Sequence, residues 1–167
     1  MEKEYYILRY RLDKRDSYLI WYSDETDGVI TNTTGEVISF RSLEELLEYA
    51  SMNRIVIDQE ETIMNNLDLV AEWIDGNDPD LINFTEFNGI WNLWTDIAGS
   101  TGRNFDVDMD EADKIYDKLF QGYNVPAVNS EGKEHITEWE EDEIRVLKEL
   151  FTNGMAMFRD VIKPYKD

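Results

Sequence analysis

The 167-residue sequence has no cysteine, one histidine, three prolines and only sixteen basic residues. The missing cysteines remove disulfides, thiolate metal sites and cysteine nucleophiles together, and they fit a reducing compartment. With His135 as the sole histidine, zinc sites built on several imidazoles and the two-histidine iron triad are excluded by count. A Ser-His-Asp triad would need His135 beside a serine such as Ser130, and no Gly-x-Ser-x-Gly elbow presents one. A lone exposed loop histidine is the simpler reading. No run approaches the roughly 18 uninterrupted apolar residues of a membrane span. Met1-Glu2-Lys3-Glu4 leads directly into an alternating pattern, without the basic start and apolar block of a secretory signal. These absences make a cytoplasmic, non-membrane protein the expectation.

What the sequence has in abundance is acid. Thirty-seven Asp and Glu against sixteen Lys and Arg give a formal charge of −21, far beyond the magnitude of about 2 to 8 that solubility asks of a small domain. Between Ile55 and Asp113 stand fifteen acidic residues and one basic residue, Arg103, a local charge of −14. Such a surface repels phosphate backbones and anionic lipid, which argues against a nucleic-acid ligand, and it steers cationic partners inward. The 42% of apolar residues, with nine Tyr, seven Phe and five Trp, suffice for a packed core. The length suits one domain over residues 1–167, without a linker, repeat or low-complexity tract to divide it.

The first 58 residues read as mainly β with one helix, and residues 59–167 as mainly α. Tyr6, Leu8, Tyr10 and Leu12 share one face of a strand, with Tyr5, Ile7, Arg9 and Arg11 opposite. Turns at Asp13-Lys14-Arg15-Asp16, Asp27-Gly28 and Thr33-Thr34-Gly35 divide this region into an antiparallel meander of about four strands, ending in Val37-Ile38-Ser39-Phe40. A helix capped by Ser42 and Glu45 is expected to cover one face of that sheet and to stop near Asn53. A short return strand, Arg54 to Asp58, follows. Leu67, Val70, Trp73 and Ile74 mark a helix ended by Asp75-Gly76. Phe84, Phe87, Trp91, Trp94 and Ala98 mark a longer one ended by Gly99 or Gly102. Another runs from Met109 to Phe120 with Gly122 as terminator. After a loop from Asn124 to Ile136, a Thr137/Glu140 capping box opens the last, which runs until Pro164. Strands first and four or five helices afterwards define an α+β chain.

The search for chemistry returns little. Asp106, Asp108, Asp110 and Asp117 have the acid spacing of a calcium loop. Glu111 takes the place of its turn glycine, however, and Asp113 the place of its apolar anchor. Acids gathered at a helix start, where the macrodipole favours them, account for the cluster. Gly99-Ser100-Thr101-Gly102 lacks the Lys-Ser/Thr of a phosphate loop and reads as a helix terminator. Paired carboxylates such as Glu138, Glu141 and Asp142 carry no specificity among 37 acids. No catalytic residue, cofactor or metal ligand is therefore assigned. Trp91, Trp94, Phe84 and Phe87 read as core, whereas Tyr5, Trp21, Tyr22 and Tyr123 are possible interface anchors.

Three stretches carry a resemblance: Tyr5-Tyr6-Ile7-Leu8-Arg9-Tyr10 through Gly35-Glu36-Val37-Ile38-Ser39-Phe40, Ile90-Trp91-Asn92-Leu93-Trp94-Thr95-Asp96, and Tyr116-Asp117-Lys118-Leu119-Phe120 to Asn124-Val125-Pro126-Ala127-Val128. Together they resemble bacterial immunity proteins of contact-dependent growth inhibition and related polymorphic toxin systems. The resemblance implies a non-catalytic protein that binds one cognate toxin domain, typically a nuclease, and it carries no contact residues over. The charge fits, because a nuclease acting on a polyanion is basic. The expected binding residues are the acids of the base-poor middle: Asp75, Asp78, Asp80, Asp106, Asp108, Asp110, Glu111 and Asp113. Two other readings stay open, a carboxylate-based metal-dependent hydrolase and a general acidic adaptor or nucleic-acid mimic.

Overall fold

A computed structural model describes residues 3–76, 78, 81–105, 109–124 and 139–166, with the side chains of 59–61, 109–111 and 121–124 not among what it describes. Strands come first and helices dominate afterwards: β1 (Glu4–Leu12), β2 (Arg15–Ser23), β3 (Gly28–Val29), β4 (Val37–Ser39), α1 (Leu43–Met52), β5 (Ile57–Asn66), α2 (Leu67–Gly76), α3 (Phe84–Thr101), α4 (Met109–Asn124), α5 (Glu141–Val161) and β6 (Ile162–Pro164). The fold is α+β. The main sheet has four strands in the order β3-β2-β1-β5, with β1 antiparallel to β2 and parallel to β5.

The alternation along β1 sorts its side chains to two cores. Leu8 and Tyr10 face α2, α3 and α5, where Trp94, Phe87, Phe151 and Phe158 are wholly buried. Ile7 and Ile20, on the other face, are buried with Phe40 and with Leu46 of α1. Both faces of the sheet are thus covered. A single covered face is the expectation from sequence because Ile7 shares its strand face with Arg9 and Arg11, which makes that face mixed.

Positive φ marks four turns among the described residues, at Asp13-Lys14, Gly35, Arg54 and Gly102, and two of them fix helices. At the β1–β2 hairpin, Asp13 and Lys14 both adopt positive φ, 54° and 62°, the geometry of a two-residue hairpin turn that normally selects glycine or asparagine. Their N–H groups both donate to the Asp68 carboxylate of α2, at 2.7 and 2.9 Å, and Arg159 of α5 grips the Asp13 carboxylate with two bonds of 2.8 and 2.9 Å. Those contacts offset the strain of left-handed non-glycine residues and tie the hairpin to two helices. The other is Gly102, one of the two stops the sequence offers beside Gly99, which ends α3 at φ 71°.

Several boundaries differ from the sequence reading. The meander's fourth member, β4, forms its ladder with β6 and meets the main sheet only through the bridges Tyr18 to Phe40 and Thr31 to Val37. The fourth position in that sheet goes to β5, which extends to Asn66 where helix was expected from residue 59. Its register against β1 jumps between Tyr6 and Ile7, pairing them with Asp58 and Thr62. That bulge interrupts the period-two pattern and hides the strand. Helix α4 continues through Gly122 to Asn124, since a glycine in a helix costs only about 1 kcal/mol against alanine. Helix α5 opens at Glu141 with Glu140 and Glu143 forming the capping box, while Thr137 lies outside the described residues. It stops at Val161, before Pro164, because Ile162–Pro164 turns to pair with Val37–Ser39.

Candidate partner-binding face

Helix α2 buries Leu67, Val70 and Trp73 and leaves Glu72 and Asp75 on its outer side. The connection beyond it is hooked back by the Asp78 carbonyl, which accepts from Trp73 Nε1 at 2.9 Å and from Leu81 N–H at 3.0 Å. Asp75 stands at the rim of a shallow groove of about 340 Å³ between α2 and α5, whose walls include Ala71, Ile74, Met155 and Ala156 and also Arg159, the partner of Asp13. An exposed carboxylate beside an apolar floor is the arrangement a basic partner with one apolar anchor would fit.

The acids expected to bind a partner fall into two groups. Asp75 and exposed Asp78 lie at the end of α2, next to the start of α3. Asp110, Glu111 and exposed Asp113 lie in the first turns of α4, beyond the far end of α3. Eighteen residues of helix, about 27 Å at about 1.5 Å per residue, set the two groups apart. Asp80, Asp106 and Asp108 lie outside the described residues, as do the side chains of Asp110 and Glu111. Because α4 is helical from Met109, most of the calcium-like stretch is helix rather than loop. Among the described residues, no group of three or more His, Asp or Glu could hold a metal ion. His135, Ser130 and Glu138 lie outside them.

The electrostatic contrast is strongest over β5, α2 and α3, since no Lys or Arg occurs between Arg54 and Arg103. Arg103 is itself engaged by Asp160 of α5. Elsewhere bases are drawn into pairs: Arg9 with Asp16, Lys118 with Glu143 at 2.6 Å, Lys166 with Glu48 at 2.7 Å and Arg159 with Asp13. Among the described residues, no base pairs with Glu72 or Asp75. The guanidinium of Arg159 holds the Asp13 carboxyl below its ordinary range. For Glu143, burial pushes the carboxyl upward, but the bonds from Lys118 and the Glu140 N–H outweigh it and leave the net shift downward.

One carboxylate outside the expected set differs in kind. Asp96 of α3 is half-buried and accepts from Trp21 Nε1 at 2.9 Å. Burial raises its pKa, the Trp21 bond opposes the rise, and the charge of Asp27 adds to it. The sequence could not single it out, because its burial depends on β2 and α3 meeting. Trp91, Trp94 and Phe87 are core, as expected. Tyr5, Trp21 and Tyr22 are half-buried ring partners on the sheet, and the side chain of Tyr123 lies outside the described residues. Of the large apolar side chains that stand out in solvent, Phe120 at 49% exposure is aromatic, and the others include Val56 at 85%, Met52 at 72%, Leu81 at 68% and Met64 at 41%. A search for aromatic anchors passes these others by.

No protein-family model matches the chain, and no curated protein matches it. Among solved structures, the fold is similar to a crystal structure of the SatS C-terminal domain in complex with bromine, with a TM-score of 0.57 over 97% of this chain and 93% of that one. The two are 12% identical, so the likeness is one of fold.

Proposed function

We propose that the chain is an immunity protein that binds and neutralises a cognate toxin domain, a basic nuclease, in the cytoplasm. The observation that carries this reading is the run from Ile55 to Gly102, which spans β5, α2 and α3 without one basic residue and places Asp75, to which no base pairs among the described residues, at the rim of a mainly apolar groove. A nuclease must hold a polyanion on a positive surface, and an acidic protein competes for that surface and reaches it quickly. The groove between α2 and α5 supplies the apolar contact that slows release. Among the described residues, no helix is long and apolar enough to cross a membrane.

Co-expression with the toxin encoded beside it is the test. Rescue of growth, and a 1:1 complex recovered from the cells, are expected. Binding to several unrelated basic proteins with similar affinity, lost as the Debye length shrinks to about 3 Å near 1 M salt, would indicate a general acidic adaptor instead. A metal-dependent hydrolytic activity abolished by Asp96→Asn would indicate the hydrolase.

A further inference from the structure

The two edges of the main sheet end differently. On the β3 side the edge is closed: Val29 N–H donates to Ser100 Oγ of α3 at 3.1 Å, Ile38 N–H donates to Ile30 at 3.3 Å, and Gly28 sits so close to α3 that an added Cβ would lie 2.5 Å from Ser100 Oγ. On the other side β5 is outermost, ten residues long, and among the described residues only β1 pairs with it. Beyond the bulge, residues 62–66 run in unbroken register with residues 7–11 of β1. A strand paired on one side turns alternate N–H and C=O groups outward, where they template another strand. Asn66 N–H is taken by Glu86 at 3.1 Å, which leaves 62–65 as the stretch on offer.

The side chains at this edge are also unusual. Val56 directly before the strand, at 85% exposure, and Met64 within it, at 41%, are large apolar side chains exposed to solvent. The strand's charged residues are all acidic: Asp58, Glu60 and Glu61.

From these features we infer that the outer edge of β5 docks an extended, basic segment of a partner protein, which adds to the four-stranded sheet as one more strand. In this mode main-chain hydrogen bonds supply affinity and alternate side chains supply specificity. Val56 and Met64 are the apolar contacts, and the strand's formal charge of −3 favours a basic segment. A second copy of this chain is disfavoured as occupant, because it would set acid against acid across the new pair. The partner's charge rests on the proposed function, whereas the mode of docking is read from the sheet.

Amide hydrogen exchange on the full chain, alone and with the toxin domain encoded beside it, tests the inference. Exchange at 62–65 is expected to slow about tenfold or more in the complex, and a Val56→Lys/Met64→Lys double variant to weaken binding about tenfold with its thermal midpoint unchanged. Should the double variant unfold, the Met64→Thr variant is expected to show a smaller loss in the same direction. A complex that leaves 62–65 exchanging as in the chain alone, or variants that bind as tightly as the original, overturns the edge assignment and leaves the function standing. No complex at all removes both. A dimer of the chain by sedimentation, abolished by Met64→Lys, also overturns the choice of occupant.

Discussion

The β3 and β5 edges belong to one sheet and teach opposite lessons about what an edge is for. At β3 only two residues pair, and α3 closes over them: Ser100 takes the Val29 N–H, Gly28 admits the contact, and Asp96 one turn earlier takes the Trp21 indole N–H. The polar groups there are directed inward and used for stability. At β5 the strand is long, no base follows it in the chain until Arg103, and Met64 within it and Val56 just before it face solvent. Proteins usually blunt such edges with a bulge or charge. This one has both at residues 59–61, yet keeps a regular stretch after them.

The contrast is open to direct attack. The largest effect is expected at the closed edge from Gly28→Val, which forces side-chain atoms into Tyr22 and Ser100. Overpacking of this kind costs about 1 to 3 kcal/mol, read as a drop in the urea midpoint with an unchanged slope. Next, Ser100→Ala leaves the Val29 N–H part-buried without its acceptor, at an expected cost of about 1 to 2 kcal/mol. Asp96→Asn should act in the opposite direction. The folded-state pKa of Asp96 is raised, so the folded chain holds that proton more tightly than the unfolded chain. The group therefore favours folding at low pH and loses that contribution as pH rises through the folded value. Asparagine keeps an acceptor for Trp21 without the buried charge. The variant should unfold at a higher midpoint than the parent at pH 7, with the gap closing as the pH is lowered. The smallest effect is expected at the open edge, where Val56→Ser and Met64→Thr should each move stability by no more than about 0.5 kcal/mol. A large loss there would mean that β5 is part of the packing rather than a surface for others.

The sequence makes most of the architecture readable, and the exceptions among the strands share a cause. Helix ends are mostly local matters of capping and glycine, so the Ser42 cap, the break after Gly76 and Gly102, one of two stops offered for α3, are legible, whereas α4 runs through Gly122 and α5 stops at Val161 to let β6 pair with β4. Strand pairing is non-local, and β5 was cut short because its bulge breaks the alternation on which strand recognition depends. The sorting of Ile7 and Ile20 into a second core under α1 is likewise non-local, since Ile7 shares its strand face with Arg9 and Arg11 and the sequence does not show what covers it. For the candidate site, composition pointed to the base-poor middle of the chain, but it could not show that Asp75 and Asp113 sit at opposite ends of an 18-residue helix. Nor could it separate Asp96 from the other acids, because only the fold decides which carboxylate is buried.

The measurement that bears most directly on the account is a calorimetric titration of the neighbouring toxin domain into this chain at two salt concentrations. The account expects a 1:1 complex that weakens as salt rises but persists, since apolar contacts hold it after the charges are screened. No heat of binding at low salt, where attraction between opposite charges is strongest, would contradict it.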